Sequence, residues 1–223
     1  VTFKSSIGEL SLSTEHKMLD IGNLSSMTSA KDVTRLERFV PVLKKETKIE
    51  ELNLSKYAPE YLVDKNHIWG TNGRGIKETL QGEDLKRFSR VLGAYISEGS
   101  LSNAEITFVC GYDKEFIEQI KEDIEHITVG LNLRTSSTIA DRYTGPMLHL
   151  RTAFKPLWSI LNNVAGRGSC NKKIPEFLFS FPQDCIDEFL EYYIRGDGNI
   201  RPDGTVRMFT NSKQLAAGLS LLL

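Results

Sequence analysis

One pattern occurs twice in this chain, and it limits the possible folds more than any other feature. In both copies, apolar residues spaced as on one face of an amphipathic helix lead to an acidic residue followed by glycine. The two copies end in Glu98-Gly99 and Asp197-Gly198, 99 residues apart. A strand-like segment follows each copy, at Ile106–Phe108 and at Val206–Met208. The spacing predicts two copies of one structural unit, related by a pseudo-twofold axis.

The first copy predicts helices and strands in the order αββαββα. Its first helix ends at Gly99, because apolar residues recur at helical spacing up to that point. The predicted strands include residues 105–110, 131–138 and 147–152, which are separated by turn-forming residues and one helix. The second copy stops at residue 223 inside its second helix, so we expect it to be truncated.

Composition along the chain predicts four segments. Short alternating stretches rich in Ser and Thr favour strands near the N-terminus, and a glycine cluster before residue 83 indicates a connector. The predicted segments are a β-rich domain at 1–57, a linker at 58–82, a first repeat at 83–170 and a truncated second repeat at 171–223. This order predicts an α+β fold class.

Overall composition excludes several classes of protein. No apolar run approaches the roughly 20 residues of a membrane-spanning helix, so we expect an intracellular, cytoplasmic protein with no membrane partner. The formal net charge is -1, so a nucleic-acid partner would need a local basic surface. The cysteines lie far apart with no CxxC pair, and we predict neither a structural zinc site nor a disulfide framework: Cys110, Cys170 and Cys185.

Two acids are the candidate chemical centre. Small residues such as Gly93 and Gly196 would let the two helices approach closely, which would bring Glu98 and Asp197 together at their C-terminal ends. Paired carboxylates attract a hard cation such as Mg²⁺, which activates water and offsets phosphate charge. The alternative interpretation is that each glycine is an ordinary helix cap beside a solvated acid.

The paired motifs at 92–99 and 190–198 resemble those of LAGLIDADG (DOD-type) homing endonucleases, in the two-repeat form carried inside inteins. The resemblance extends from about residue 83 to the end, although Tyr95 and Ser97 depart from the eponymous letters. It implies a monomeric, Mg²⁺-dependent enzyme that hydrolyses phosphodiester bonds at a specific double-stranded DNA site. It also implies that Glu98 and Asp197 bind the catalytic metal.

Two further groups of basic residues enter through this resemblance. Lys172 to Pro175 is similar to the Lys-x-Ile-Pro element of intein endonucleases, which implies a catalytic role for Lys172, with Lys173 as the alternative. A solvated basic loop is the competing interpretation. The family binds DNA with β-ribbons, so we expect DNA contacts from arginines on predicted strands or near a hairpin turn: Arg134, Arg151, Arg201 and Arg207.

The N-terminal segment is similar to the intein splicing motif Thr-x-x-His, with Ser13 in place of Thr and His16 as the histidine. This implies part of a β-rich, Hint-like splicing domain, in which the histidine polarises the amide at the upstream junction. Neither Val1 nor residues 221–223 supply the terminal splicing residues, so we expect a fragment that lacks both junctions and does not splice.

Two alternatives stay open. The repeats could form a DNA-binding module that has lost cleavage. The biological name could also be that of the host protein, whose flanking exteins are then partners. An archaeal family B DNA polymerase is one such host.

Overall fold

The structure is a computed structural model that describes residues 2–5, 8–11, 13–14, 17–20, 23–29, 32, 48–103, 105–111, 113–139 and 146–223. The chain divides into two compact units, residues 1–44 with 216–223, and residues 45–215. Helices and antiparallel sheets are both present in the described residues, so the expected α+β class is confirmed. The domain boundaries at 57, 82 and 170 and the Hint-like assignment stay predictions.

The first unit contains two antiparallel strand pairs. Strand β1 (Thr2–Ser5) pairs with β2 (Gly8–Ser11), and β3 (Lys17–Asp20) pairs with β4 (Asn23–Ser29). These strands agree with the strand-rich pattern predicted for this part of the chain.

The second unit begins with strands where the sequence predicts a linker. Strand β5 (Glu51–Asn53) precedes a short 3₁₀ turn, and the next strands are β6 (Leu62–Asp64), β7 (His67–Trp69), β8 (Gly75–Lys77) and β9 (Thr79–Gln81). The segment predicted as a linker at 58–82 thus contains paired strands, and its role as a connector between two units stays a prediction. Its turn residues form tight hairpins: Lys65 and Asn66 have φ of 49° and 60°, as a primed turn between paired strands requires.

The first copy of the repeat follows with the predicted elements. They are α1 (Glu83–Glu98), β10 (Gly99–Ser102), β11 (Glu105–Cys110), α2 (Lys114–Ile127), β12 (Thr128–Val129), β13 (Arg134–Ile139), β14 (Pro146–Thr152) and α3 (Lys155–Ala165). The four-stranded sheet has the order β10-β11-β14-β13. Strand β12 is an addition to the predicted order, and it pairs with β8 instead of this sheet.

The second copy repeats the order αββα. A 3₁₀ turn at Glu176–Ser180 precedes α4 (Gln183–Asp197), β15 (Gly198–Ile200), β16 (Val206–Met208) and α5 (Lys213–Leu222). In both copies the helix ends at the acid, and a strand begins at the next glycine.

Helices α1 and α4 form the most extensive contact between any two described elements. Gly93 makes their close approach possible, because a side-chain carbon there would overlap the carbonyl oxygen of Phe189 and lie 3.1 Å from the amide nitrogen of Tyr193. Burial of apolar side chains from both helices supplies the main favourable free energy of this interface. The largest fully buried side chains on these two helices are Phe88, Tyr95, Phe189 and Tyr193.

A buried network of charged side chains joins α1 to α2. Asp123, which is fully buried, accepts hydrogen bonds from Arg90 at 2.7 and 2.9 Å and from Arg87 at 3.0 Å. Arg90 also contacts Glu188 on α4 at 3.1 Å. The three helices are thus held together by side-chain charge as well as by apolar packing. Among the described helices, none is long and apolar enough to cross a lipid bilayer.

Candidate active site

The structure brings Glu98 and Asp197 to neighbouring helix ends. A side-chain carbon at Gly196, the residue before Asp197, would lie 2.9 Å from Cγ of Glu98 and would overlap the Ser97 hydroxyl. Small residues at these positions are therefore a steric requirement of the site. This agrees with the close approach that the sequence predicts.

The glycines after the acids do not act as ordinary left-handed caps. Gly99 has φ of −85° and Gly198 has φ of −118°, values that other residues adopt readily. What excludes a side chain is space: a Cβ on Gly99 would lie 2.6 Å from the carbonyl oxygen of Tyr95, and one on Gly198 would lie 2.5 Å from that of Ile194. Each glycine lets the chain turn from the helix directly into a strand.

Burial and mutual repulsion both act on the two carboxylates. Burial raises the pKa of Glu98, the negative charge of Asp197 raises it further, and the nearby Lys172 opposes both effects. Burial also raises the pKa of Asp197, again opposed by Lys172. Raised pKa values mean that the ionised pair is costly without a cation, so the site favours binding of positive charge.

The donor set fits Mg²⁺. In the part of the chain that the structure describes, neither carboxylate accepts a hydrogen bond or forms an ion pair. Mg²⁺ is commonly held by one or two carboxylates, with water and substrate phosphate completing its shell. No group of three or more His, Cys, Asp and Glu side chains within the described residues is placed to hold a metal. The roles of Glu98 and Asp197 as metal ligands stay predictions.

Lys172 lies with the acids, and its side chain is buried. Its ammonium donates hydrogen bonds to the carbonyl oxygens of Tyr95 at 2.9 Å, Ile96 at 2.9 Å and Gly99 at 2.7 Å. Burial lowers the pKa of Lys172 to about 8, although the charges of Asp197 and Glu98 oppose that shift. The interpretation of this segment as a solvated basic loop is wrong for Lys172, which is only 6% exposed.

The alternative lysine, Lys173, occupies a different place. It lines a small cavity of about 190 Å³ with Tyr57 and Asn163, and its amide donates to the carbonyl oxygen of Ala165. Lys172 is thus the member of the pair whose ammonium reaches the end of α1.

An open cleft gives access to Asp197. Its volume is about 410 Å³, and Asp197 and Lys172 form part of its wall. Other polar residues on the wall are Ser97, Ser169, Thr210 and Asn211. A polar, open cleft of this kind suits a charged, extended ligand better than a small apolar one.

Two of the predicted DNA-contacting arginines lie directly opposite each other on the exposed face of the four-stranded sheet. Arg134 on β13 pairs with Arg151 on β14, and the same row continues through Thr107 to Ser100. Both arginines are exposed, and neither has an ion-pair partner among the described residues. Like charges directly opposite on neighbouring strands repel each other, so this row favours a bound anion.

The second copy presents its arginines on a shorter hairpin. Arg207 on β16 pairs with Asn199 on β15, and Arg201 lies at the turn, where its amide donates to the carbonyl oxygen of Thr205. Arg207 and Arg201 are both exposed. The positions of all four arginines agree with the predicted strands and turn, while their contacts with DNA stay predictions.

The structure describes one of the two predicted splicing residues. Ser13 is exposed in a loop, and His16 lies outside the described residues. Their splicing roles therefore stay predictions.

Sequence reasoning did not find the ion pair beside the site. Arg195 places its guanidinium within 2.8 Å of the carboxylate of Asp113, which also caps α2 by accepting a hydrogen bond from the Phe116 amide. The guanidinium lies over the rings of Phe116 and Tyr192 at 5.5 and 5.3 Å. An Asp before a predicted helix is a recognisable cap signal, whereas the pairing with Arg195 has no sequence signature.

The chain matches no protein-family model. It is similar to a DNA polymerase of Thermococcus hydrothermalis, at 29% identity over 202 residues and 78% of this chain. It is also similar to the DNA-directed RNA polymerase subunit Rpo1C of Methanocaldococcus jannaschii, at 28% identity over 183 residues and 78% of the chain. An iron-sulfur cluster assembly SufBD family protein of Mycobacterium tuberculosis is 26% identical over 141 residues, or 61% of the chain.

The matched regions are small parts of these relatives. The chain spans 11% of the polymerase, 20% of the RNA polymerase subunit and 16% of the SufBD family protein. Other DNA polymerases of Thermococcus show 26 to 29% identity over a similarly small share of their length. One segment is thus similar to parts of proteins with three unrelated names.

Proposed function

We propose that this chain is part of an intein whose repeats, from residue 83 onward, form a LAGLIDADG-type homing endonuclease. Its reaction is the Mg²⁺-dependent hydrolysis of phosphodiester bonds in double-stranded DNA. The observation that carries the proposal is the placement of Glu98 and Asp197, two half-buried carboxylates at the paired ends of α1 and α4 with no partner among the described residues.

Each group of residues has a part in this proposal. Glu98 and Asp197 hold Mg²⁺, which when bound polarises a phosphate and lowers the pKa of a bound water. Arg134, Arg151 and Arg207 attract the DNA backbone, because exposed arginines that have no carboxylate partner within the described residues bind phosphate readily. The resemblance also assigns Lys172 a direct catalytic part, and that assignment stays a prediction.

The relatives have three unrelated names, and this supports the proposal that the segment is an insertion carried by different host proteins. A shared domain that works with each host would be expected in related hosts, whereas an intein is carried by whichever protein it has entered. The similarity to DNA polymerases supports the alternative that the protein is named after its host more directly than it supports DNA cleavage. We therefore propose that the whole protein is a DNA-polymerase-like host, with exteins flanking this segment and with Ser13 and His16 in its splicing domain.

The test separates cleavage from binding. The protein is incubated with Mg²⁺ and a pool of randomised duplex DNA, and the cut ends are sequenced. We expect cuts at one preferred sequence with the natural chain and none with Asp197→Asn, while gel-shift affinity for that sequence stays within about threefold, because spread phosphate contacts dominate affinity. Asp187→Asn, an exposed acid on the same helix, is the matched control and should cut normally.

Two outcomes would overturn the proposal. If Asp197→Asn cleaves DNA at the natural rate, Asp197 is not part of the active site. Binding without cleavage by the natural chain would favour the DNA-binding module that lacks nuclease activity.

A further inference from the structure

The end of α1 is held by a side chain that arrives from outside the helix. The last carbonyl groups of a helix have no partner within it. Lys172 donates to the carbonyl of Ile96, to that of Tyr95, which also accepts a hydrogen bond from the Gly99 amide, and to that of Gly99, the first residue of β10. Its hydrogen bonds therefore bracket Glu98, and a cation at this place is also favoured by the helix dipole.

The backbone of Lys172 is itself held by a residue that precedes α5, later in the second copy of the repeat. The hydroxyl of Ser212 donates a hydrogen bond to the carbonyl oxygen of Lys172 at 2.6 Å. The same hydroxyl accepts one from the amide of Leu215, at the start of α5, at 3.1 Å. Ser212 is 1% exposed, so water does not compete for these bonds.

A continuous set of hydrogen bonds thus runs from the start of α5, through Ser212 and Lys172, to both sides of Glu98. The ammonium of Lys172 has three protons, and each one is donated to a backbone carbonyl. None is left for a water molecule or a phosphate in this arrangement. Direct proton transfer would require one of these bonds to break first.

We propose that Lys172 and Ser212 are a pair of positioning residues that fixes Glu98 relative to Asp197. The second copy would then set the metal geometry in the first. The part of this inference that concerns metal binding rests on the proposed nuclease function. The structural part concerns only the hydrogen bonds at the end of α1.

The structural part is tested first, without metal. Amide hydrogen exchange is measured in the natural chain, Ser212→Ala and Ser212→Thr. We expect Ser212→Ala to speed exchange at the Gly99 amide, which donates to Tyr95, more than at amides in the middle of α2. Ser212→Thr keeps the hydroxyl and should restore protection. Ser220→Ala, an exposed serine whose hydroxyl donates to the Ala216 carbonyl within α5, is the matched control.

The metal part uses binding of Mg²⁺ alone, followed by calorimetry, together with cleavage kinetics. We expect Ser212→Ala and Lys172→Met to weaken Mg²⁺ binding by about tenfold or more, as loss of groups that orient metal ligands does. At saturating Mg²⁺, Ser212→Ala should recover most of kcat. The double variant should bind Mg²⁺ no more weakly than Lys172→Met, because both changes break one set of bonds.

Each outcome has a defined meaning. Unchanged exchange at Gly99 in Ser212→Ala would overturn the positioning pair. So would a Lys172→Met variant that keeps Mg²⁺ affinity but loses kcat, since that result indicates a direct catalytic lysine. Altered exchange in a chain that binds no Mg²⁺ would keep the positioning of Glu98 and reject the proposed nuclease.

Discussion

Arg195 and Asp113 join the end of α4 to the start of α2 through a two-pronged ion pair. One guanidinium nitrogen lies 2.9 and 2.8 Å from the two carboxylate oxygens, and a second lies 3.2 Å from one of them. Arg195 is two residues before Asp197, so this pair fixes the last turn that carries the second acid.

We expect Arg195→Ala to lower the free energy of unfolding by about 1–3 kcal/mol, because it removes a charge-assisted bidentate contact and two ring contacts. Urea denaturation measures the loss. A double-mutant cycle with Asp113→Asn should show coupling. Arg207→Ala removes an exposed arginine that has no ion-pair partner in the described part of the chain, and it should leave stability unchanged. Additive losses in the cycle would show that the pair contributes nothing as a pair.

The charge network around Asp123 predicts a larger effect. Asp123→Ala leaves Arg90 and Arg87 without their buried partner, so we expect a loss of about 3–5 kcal/mol in the free energy of unfolding. Glu122→Ala, at the exposed neighbouring position, should cost little. Equal stability of the two variants would mean that the network does not stabilise the fold.

Gly93 gives a steric prediction. Ala has the higher helix propensity, yet the added carbon would overlap the Phe189 carbonyl, so we expect Gly93→Ala to destabilise by about 1–3 kcal/mol. Gly111→Ala is the control, because a side-chain carbon there meets nothing within 4 Å. A stabilised Gly93→Ala variant would show that α1 and α4 can separate at little cost.

The raised pKa of Glu98 predicts a pH-dependent stability. The folded chain holds the Glu98 proton to a higher pH than the unfolded chain does, so ionisation destabilises the folded state as pH rises above about 4.5, its ordinary pKa. We expect Glu98→Gln to melt at a higher temperature than the natural chain at pH 7, with the difference vanishing near pH 4. Mg²⁺ should raise the melting temperature of the natural chain at pH 7 and leave the variant unchanged. A variant that is less stable at pH 7 would contradict this assignment.

Replacing Arg134 or Arg151, which lie opposite each other on neighbouring strands, should affect DNA binding and protein stability differently. Arg134→Ala and Arg151→Ala should each weaken DNA binding and reduce the slope of log affinity against log salt by about one. Each should also leave the free protein equally stable or slightly more stable, because repulsion across the strands is relieved. Arg74→Ala, an exposed arginine outside this sheet, serves as the comparison in the same gel-shift titration. An unchanged salt slope would remove the pair from the DNA surface.

The long helices and the pairing of their ends could be predicted from sequence, because periodic apolar residues and small residues carry that information directly. The apolar residues that predict α1, including Phe88 and Leu92, are buried as expected. The strands at 62–77 could not be found in the same way, because each is only three residues long, too short for a periodic pattern to stand out. Their turns depend on left-handed Lys65 and Asn66, and lysine is not a usual signal for that conformation.

The placement of Glu98 and Asp197 at neighbouring helix ends could be predicted from sequence, whereas the contacts that support them could not. Lys172 could be associated with the acids by resemblance, but its bonds go to backbone carbonyls, which every residue possesses and which leave no trace in a sequence. The contact between Asp123 and Arg90 could not be predicted from sequence for a related reason. Each residue lies beside apolar residues on an amphipathic helix, and the pattern of neither helix indicates a buried ion pair.

The burial of Lys172 also makes it a chemical reporter. Amine-acylating reagents need an accessible, uncharged amine, and burial lowers the pKa of Lys172 to about 8. In the folded chain its three carbonyl partners and its burial shield it, so its labelling rate is limited by how often the end of α1 opens. Lys173, the next residue in the chain, is more exposed and provides an internal reference for reagent reactivity in the same peptide. The ratio of the two labelling rates therefore measures local opening at the candidate metal site, in any variant and without a nuclease assay.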